Sequence, residues 1–353
     1  MLTISRGWYQ LILLALSLVD ALSPDSAVSL LASVVFDGPL QGDELSITAA
    51  TTPISCHSHN DYWRARPLHS AVEIGCASVE ADVWLGQDDT LLVGHVRSSL
   101  NPDINLRSTY LQPILKMLNE RNKDPESRIM RGIFEADPDR SLVLLVDFKD
   151  SSDLIWPVLN RHLQQLRELS YLTHFNGTDV IERPVTIVAS GAVSFRDVIA
   201  NTTYRDIFMD APLQIMGDNL PKSLFDTSDS DLPLDIVVDD ALPLKQPVNP
   251  AVYNPTNSFY ASASFFKTIG YPFGSRLSQD QMKRLRAQIH GAHEQGLKVR
   301  YWDVPTWPLG VRNYLWRVLV REGVDYLSVD DIRAAVRGDW GPRKGGWNQK
   351  WWS

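Results

Sequence analysis

The stretch SVEADVWL, residues 78–85, decides how this 353-residue chain is read. It is strand-like, and residues i and i+2 of a strand face the same way, so Glu80 and Asp82 share a face. LLVDFKD, residues 144–150, repeats the arrangement with Asp147 and Lys149. Two further groups fall at the ends of apolar runs: His59 after a first run at 54–59, and His95 closing LLVGH at 91–95.

Outward from these runs the chain alternates. Strands are expected at 54–59, 78–85, 142–148, 185–189, 207–210, 259–262, 299–302 and 326–329. Helices are expected at 68–74, 111–120, 154–169, 279–295 and 311–322. Strands alternating with helices imply parallel pairing through crossovers. About eight such units suit a closed TIM-type (β/α)8 barrel, with a doubly wound open sheet as the runner-up. In a barrel, the C-terminal strand ends are where catalytic groups collect. The irregular, Pro- and Asp-rich segment 210–259 reads as long loops shaping a substrate mouth.

Composition agrees with a large globular core: 44% of residues are hydrophobic and 22% charged. The net charge of -8 argues against a broad nucleic-acid surface, which shows as a basic face. The apolar run LILLALSLV at 11–19 is too short to span a bilayer and fits a signal peptide over 1–21. An uncleaved anchor and a mitochondrial presequence are the other readings, the presequence weak because one Arg precedes the run. Two N-glycosylation sequons, at Asn176 and Asn201, accord with a secretory or extracellular protein. Residues 22–52 form a lead-in, 53–338 the barrel and 339–353 a Trp-rich tail. Trp347, Trp351 and Trp352 beside Arg343, Lys344 and Lys350 suit peripheral contact with a membrane surface, but a tail folded against the barrel or disordered is favoured.

Two adjacent carboxylates plus a third from the next strand, here Glu80, Asp82 and Asp147, make a hard-oxygen set suited to one divalent cation, Mg²⁺ before Ca²⁺. Such an ion polarises phosphoryl oxygens, and Lys149 adds a second positive group. His59 and His95 remain for proton transfer, one activating the attacking oxygen and the other protonating the leaving alkoxide.

SHNDY at 58–62, VEADVW at 79–84, LLVGH, VDFK at 146–149 and RYWDVP at 300–305 resemble the PLC-like phosphodiesterase superfamily, and within it the fungal altered-inheritance-of-mitochondria family. Glycerophosphodiester phosphodiesterases and sphingomyelinase D toxins are more distant relatives. The resemblance covers roughly residues 54–336. It implies acid/base roles for His59 and His95, metal ligation by Glu80, Asp82 and Asp147, phosphate contact by Lys149, and a substrate pocket containing Trp302, Asp303 and Asn60. It thus implies a monomeric phosphoric diester hydrolase acting on a phospholipid or glycerophosphodiester-type substrate. Glycerophosphodiesterases follow the first histidine with Arg-Gly and carry a glutamate where Asp147 stands. Here Asn60 and Asp61 follow His59, so one phosphate contact is missing, and Asp147 with Lys149 is closer to the sphingomyelinase D pattern.

Other readings stay in view. His57 and His59 form an H-x-H pair that suits an amidohydrolase-like metal site. That chemistry needs later histidines, and His162, His174, His290 and His293 fall off the strand ends, so His57 reads as a packed or supporting residue. A barrel serving only as a binding or structural module is the reading from another class. Cys56 and Cys76 sit at similar heights on neighbouring strands but with opposite parity. Opposite parity disfavours a disulfide unless the strand starts are irregular, so two buried free thiols are expected.

Overall fold

Eight apolar runs become parallel strands because each is covered on both faces; of LVLLVDF at Leu142–Phe148, every residue is buried except Asp147. The computed structural model describes residues 52–124, 129–217, 246–272, 276–338 and 340. The barrel strands are β1 (Ile54–Ser58), β2 (Cys76–Leu85), β3 (Leu142–Phe148), β4 (Val185–Gly191), β5 (Ile207–Pro212), β6 (Ser258–Ser264), β7 (Lys298–Trp302) and β8 (Tyr326–Val329). Each pairs in parallel with the next, and β8 closes onto β1. The expected TIM-type (β/α)8 barrel is therefore the fold, with no open edge in the ring.

The expected helices lie at His69–Glu73, Gln112–Arg121, Gln279–Glu294 and Leu309–Glu322. The single helix expected at 154–169 is two, Ser152–His162 and Gln164–Glu168, meeting at Leu163. Gln279–Glu294 starts with a capping box between Ser278 and Gln281, and Leu309–Glu322 stops at Gly323 with φ 97°, a left-handed cap that glycine adopts without strain. Leu285 with Ile289 and Leu315 with Leu319, each four residues apart on one helical face, are buried against the barrel. Fully burying one such side chain is worth about 1.5–3 kcal/mol.

Two local features depart from simple alternation. Leu91–Val93 returns antiparallel along the end of β2, pairing Val83 with Val93 and Leu85 with Leu91. This hairpin carries His95 back over the barrel mouth. The second feature is an irregularity in β1. Ile54 pairs with Cys76, yet His57 pairs with Ser78, so β1 spends three residues where β2 spends two. An extra residue of this kind is a β-bulge, and it reverses strand parity.

The bulge corrects the expectation for the cysteines. Cys56 and Cys76 form a disulfide, with Cα atoms 4.9 Å apart. Parity counted on regular strands set their side chains on opposite faces, whereas the extra residue brings them together.

The expected signal peptide over 1–21 and nearly all of the lead-in lie outside the described residues, as do 218–245 of the expected mouth loops. The tail lies outside them too, apart from Trp340. That residue is buried, donates from Nε1 to Ala335 O at 2.8 Å and packs edge-on against Trp316. Among the described residues, no helix is long and apolar enough to cross a membrane.

Candidate active site

Glu80 and Asp82 rise from β2 into the C-terminal mouth, and their surroundings treat the two oxygens of each carboxylate differently. Glu80 Oε2 lies 3.1 Å from His57 Nε2, 3.4 Å from the Asn60 N–H, 3.9 Å from Arg300 Nη1 and 4.0 Å from His59 Nε2. Asp82 Oδ2 lies 2.8 Å from the Tyr62 hydroxyl, 3.1 Å from His95 Nδ1 and 2.9 Å from Lys149 Nζ. Asp82 Oδ1, by contrast, is buried without a hydrogen-bond partner among the described residues. A buried carboxylate oxygen with no partner is costly and calls for a ligand.

Asp147 stands opposite Asp82 in the β2–β3 ladder. Ser190 donates to its Oδ1 at 2.6 Å and Lys149 Nζ lies 2.6 Å from its Oδ2. The ammonium thus bridges Asp82 and Asp147. With Lys149 in that position, no three acids, histidines or cysteines among the described residues are gathered closely enough to enclose an ion as they stand. The donors nonetheless fit a hard cation: Asp82 Oδ1 is unpartnered, Glu80 Oε1 takes none of the contacts given to Oε2, and the carboxylate oxygens of Asp147 keep second lone pairs.

The loop after β1 is built to hold Asn60. Its φ of 45° is left-handed, a conformation asparagine tolerates, and this turn directs its N–H to Glu80 while its Oδ1 lies 2.8 Å from the Tyr62 hydroxyl. Asp61 anchors the same loop, accepting from Ser58 Oγ at 2.6 Å and the Leu68 N–H at 2.5 Å.

The histidines differ in environment. His59, about a quarter exposed, presents Nδ1 to Asp330 Oδ1 at 2.8 Å. Burial works to lower its pKa, but Glu80 and then Asp330 outweigh it and raise the value to about 9. His57 is fully buried, and burial together with the Arg300 guanidinium lowers its pKa to about 4 against the pull of Glu80. For Glu80, burial favours the neutral acid, yet His59, His57 and Arg300 hold the carboxyl well below its ordinary range. Burial raises the Asp147 pKa, with Lys149 opposing. For Lys149 burial is outweighed by Asp147 and Asp82, so its pKa is raised and it stays cationic.

The structure therefore gathers His59, Asn60, Glu80, Asp82, His95, Asp147 and Lys149 at one mouth. Trp302 ends β7, partly exposed, and Asp303 follows it with φ 55°, its Oδ2 accepting from Ser264 Oγ at 2.7 Å. These two stand on the β6–β7 rim. Sequence reasoning did not single out Tyr62, Ser190, Arg300 or Asp330. Arg300 links Glu80 to Asp210, reaching Asp210 Oδ2 at 3.1 Å from within the barrel. Asp330 had the same signal as the others, an acid just past a strand end.

The fold and this constellation define a phosphodiesterase-like barrel. An AIM6-like phosphodiesterase domain matches residues 45–210. The chain is 33% identical over 309 residues to the altered inheritance of mitochondria protein 6 homolog of Arthroderma benhamiae, covering 84% of this chain and 87% of that one. It is 34% identical over 290 residues to altered inheritance of mitochondria protein 6 of Eremothecium gossypii, covering 80% and 68% respectively. The chain belongs to the altered inheritance of mitochondria protein 6 family. Among solved structures it is similar to a glycerophosphodiester phosphodiesterase from Parabacteroides distasonis, with a TM-score of 0.41, 11% identity and coverage of 81% of this chain and 98% of that one.

Proposed function

We propose that this protein is a metal-dependent phosphoric diester hydrolase acting on a phospholipid or glycerophosphodiester-type substrate. One observation carries the reading: Asp82 Oδ1, buried and without a hydrogen-bond partner among the described residues, belongs to the same strand face as Glu80 beside two histidines and a lysine. Hard oxygens of this kind favour Mg²⁺, with Ca²⁺ the alternative. Glu80 and Asp82 would hold the ion and Asp147 would complete the set. When bound, the ion neutralises charge on the phosphoryl oxygens.

The side chains divide the remaining work. His95 directs Nδ1 to Asp82, which fixes its proton there and leaves Nε2 as the base. His59, with Asp330 at one ring nitrogen and Glu80 near the other, carries a proton at both and serves as the acid. Lys149 offers its ammonium to the phosphate. A water or a substrate hydroxyl attacks phosphorus in line as His95 takes its proton, and the ester P–O bond breaks as His59 protonates the departing alkoxide. Water gives a monoester; an internal hydroxyl gives a cyclic phosphate.

The secretory route is part of the proposal. It is supported by the disulfide, which persists in oxidising compartments, and by the exposed sequon asparagines Asn176 and Asn201. The test is hydrolysis of bis(p-nitrophenyl) phosphate and of a lysophospholipid, with products identified by mass spectrometry, before and after chelation and Mg²⁺ return. Activity lost on chelation and in Glu80→Ala/Asp82→Ala is the expected result. Undiminished activity in that double variant sinks the metal assignment.

A further inference from the structure

We infer that His57, the first histidine of the H-x-H pair, is the positioning residue for Glu80: it ties down one carboxylate oxygen so that the other faces the mouth. The inference rests on the reading of Glu80 as a metal ligand. His57 itself is fully buried at the end of β1, level with Ser78 in the ladder, and has no access to substrate.

Donor and acceptor accounting fixes its orientation. Nε2 lies 3.1 Å from Glu80 Oε2, which only accepts, and 3.1 Å from Arg300 Nη1, which only donates. A lone pair aimed at the carboxylate would face its full negative charge, whereas the guanidinium keeps its ion pairs with Glu80 and Asp210 without the ring, so the proton is assigned to Nε2. Nδ1 must then accept, and its neighbour is Ser78 Oγ at 2.7 Å. The Tyr260 hydroxyl donates to that same Oγ at 2.9 Å, which leaves the serine its own proton to give to Nδ1. A directed chain therefore runs from Tyr260 on β6, through Ser78 and His57, to Glu80. Arg300 Nη1, 3.1 Å from Nε2 and 3.9 Å from Oε2, adds positive charge to the same side. The Asn60 N–H joins at Oε2, so His57, Asn60, Arg300 and His59 converge on one oxygen of this carboxylate.

The bulge in β1 makes the arrangement possible. A regular β1 would set Cys56 level with Ser78; the extra residue sets His57 there instead.

Three measurements test the inference on the full chain. Nitrogen-15 NMR of histidine-labelled wild type, with correlation to carboxyl carbons, is expected to show His57 protonated at Nε2 and bonded to Glu80. Protonation at Nδ1 overturns the proposal, with or without any variant. Mn²⁺ binding followed by electron paramagnetic resonance is expected to weaken about 10–100-fold in His57→Phe, as for loss of other groups that orient ligands, and to recover largely in His57→Gln, which keeps a donor. Ser78→Ala, which breaks the chain further from the carboxylate, is expected to shift Mn²⁺ affinity in the same direction. Folded His57→Phe with wild-type Mn²⁺ affinity overturns the inference and leaves the metal reading intact. If the wild type binds no Mn²⁺ the metal reading fails by itself, and the NMR result still decides which group holds Glu80.

Discussion

Asp82 and Asp147 stand opposite each other on neighbouring parallel strands, and the Lys149 ammonium joins them, 2.9 Å from Asp82 Oδ2 and 2.6 Å from Asp147 Oδ2. Without that cation two carboxylates would face each other in a partly desolvated mouth. The lysine holds the two acids close while Asp82 Oδ1 keeps no hydrogen-bond partner among the described residues.

Lys149→Met removes that bridge while keeping the length of the side chain. Turnover of bis(p-nitrophenyl) phosphate is expected to fall about 100-fold, the scale for losing one preorganised positive group. Stability is expected to drop by about 1–3 kcal/mol, as two buried acceptors lose their donor. Wild-type turnover in this variant would remove Lys149 from the reaction.

The two histidines of the H-x-H pair predict a stability maximum near pH 6.5. His59 has a folded-state pKa raised to about 9, so its contribution is full below the unfolded value near 6.5 and is lost as pH rises to about 9. His57 has its folded-state pKa lowered to about 4, so the unfolded chain binds the extra proton between about 6.5 and 4 and stability falls as pH drops through that window. Melting temperatures from pH 4 to 9 should trace both limbs, and His57→Gln should flatten the acid one. A flat profile in the wild type contradicts both assignments.

Asp330→Asn keeps an oxygen for His59 Nδ1 but removes the charge that helps His59 hold its proton. The alkaline limb of the kcat profile is expected to move to lower pH. The check is a full pH–rate series; an unmoved limb shows that His59 is not the acid.

Cys56→Ala/Cys76→Ala opens a crosslink spanning 20 residues, which is worth about 3 kcal/mol in chain entropy. Urea unfolding should show that loss, and dithiothreitol should reproduce it in the wild type. No change with reductant would mean that the thiols are unpaired in solution.

The barrel was legible in the sequence because strands covered on both faces read as apolar runs with few interruptions, and in β2 and β3 the charged interruptions were Glu80, Asp82 and Asp147. The hairpin at Leu91–Val93 was not read as a strand, since three residues carry no period. Arg300 lay inside a quoted motif, but its contacts with His57 and Asp210 cross the barrel and connect strands far apart in sequence. Asp330 and its neighbour Asp331 look alike in sequence. In space one orients His59 and the other caps the helix Ile332–Arg337. The disulfide escaped because parity was counted on ideal strands, and the residue that breaks the count has no signature of its own.

That extra residue lets β1 meet β2 in two registers, one that serves the disulfide and one that serves the mouth. A substitution at Ser55 would alter one side chain. A deletion there would absorb the extra residue: Ile54 stays level with Cys76 and His57 with Ser78, while Cys56 becomes level with Ala77 and turns to the face opposite Cys76. Redesign of this segment therefore trades the length of β1 against the Cys56–Cys76 crosslink and leaves the level of His57 and His59 unchanged.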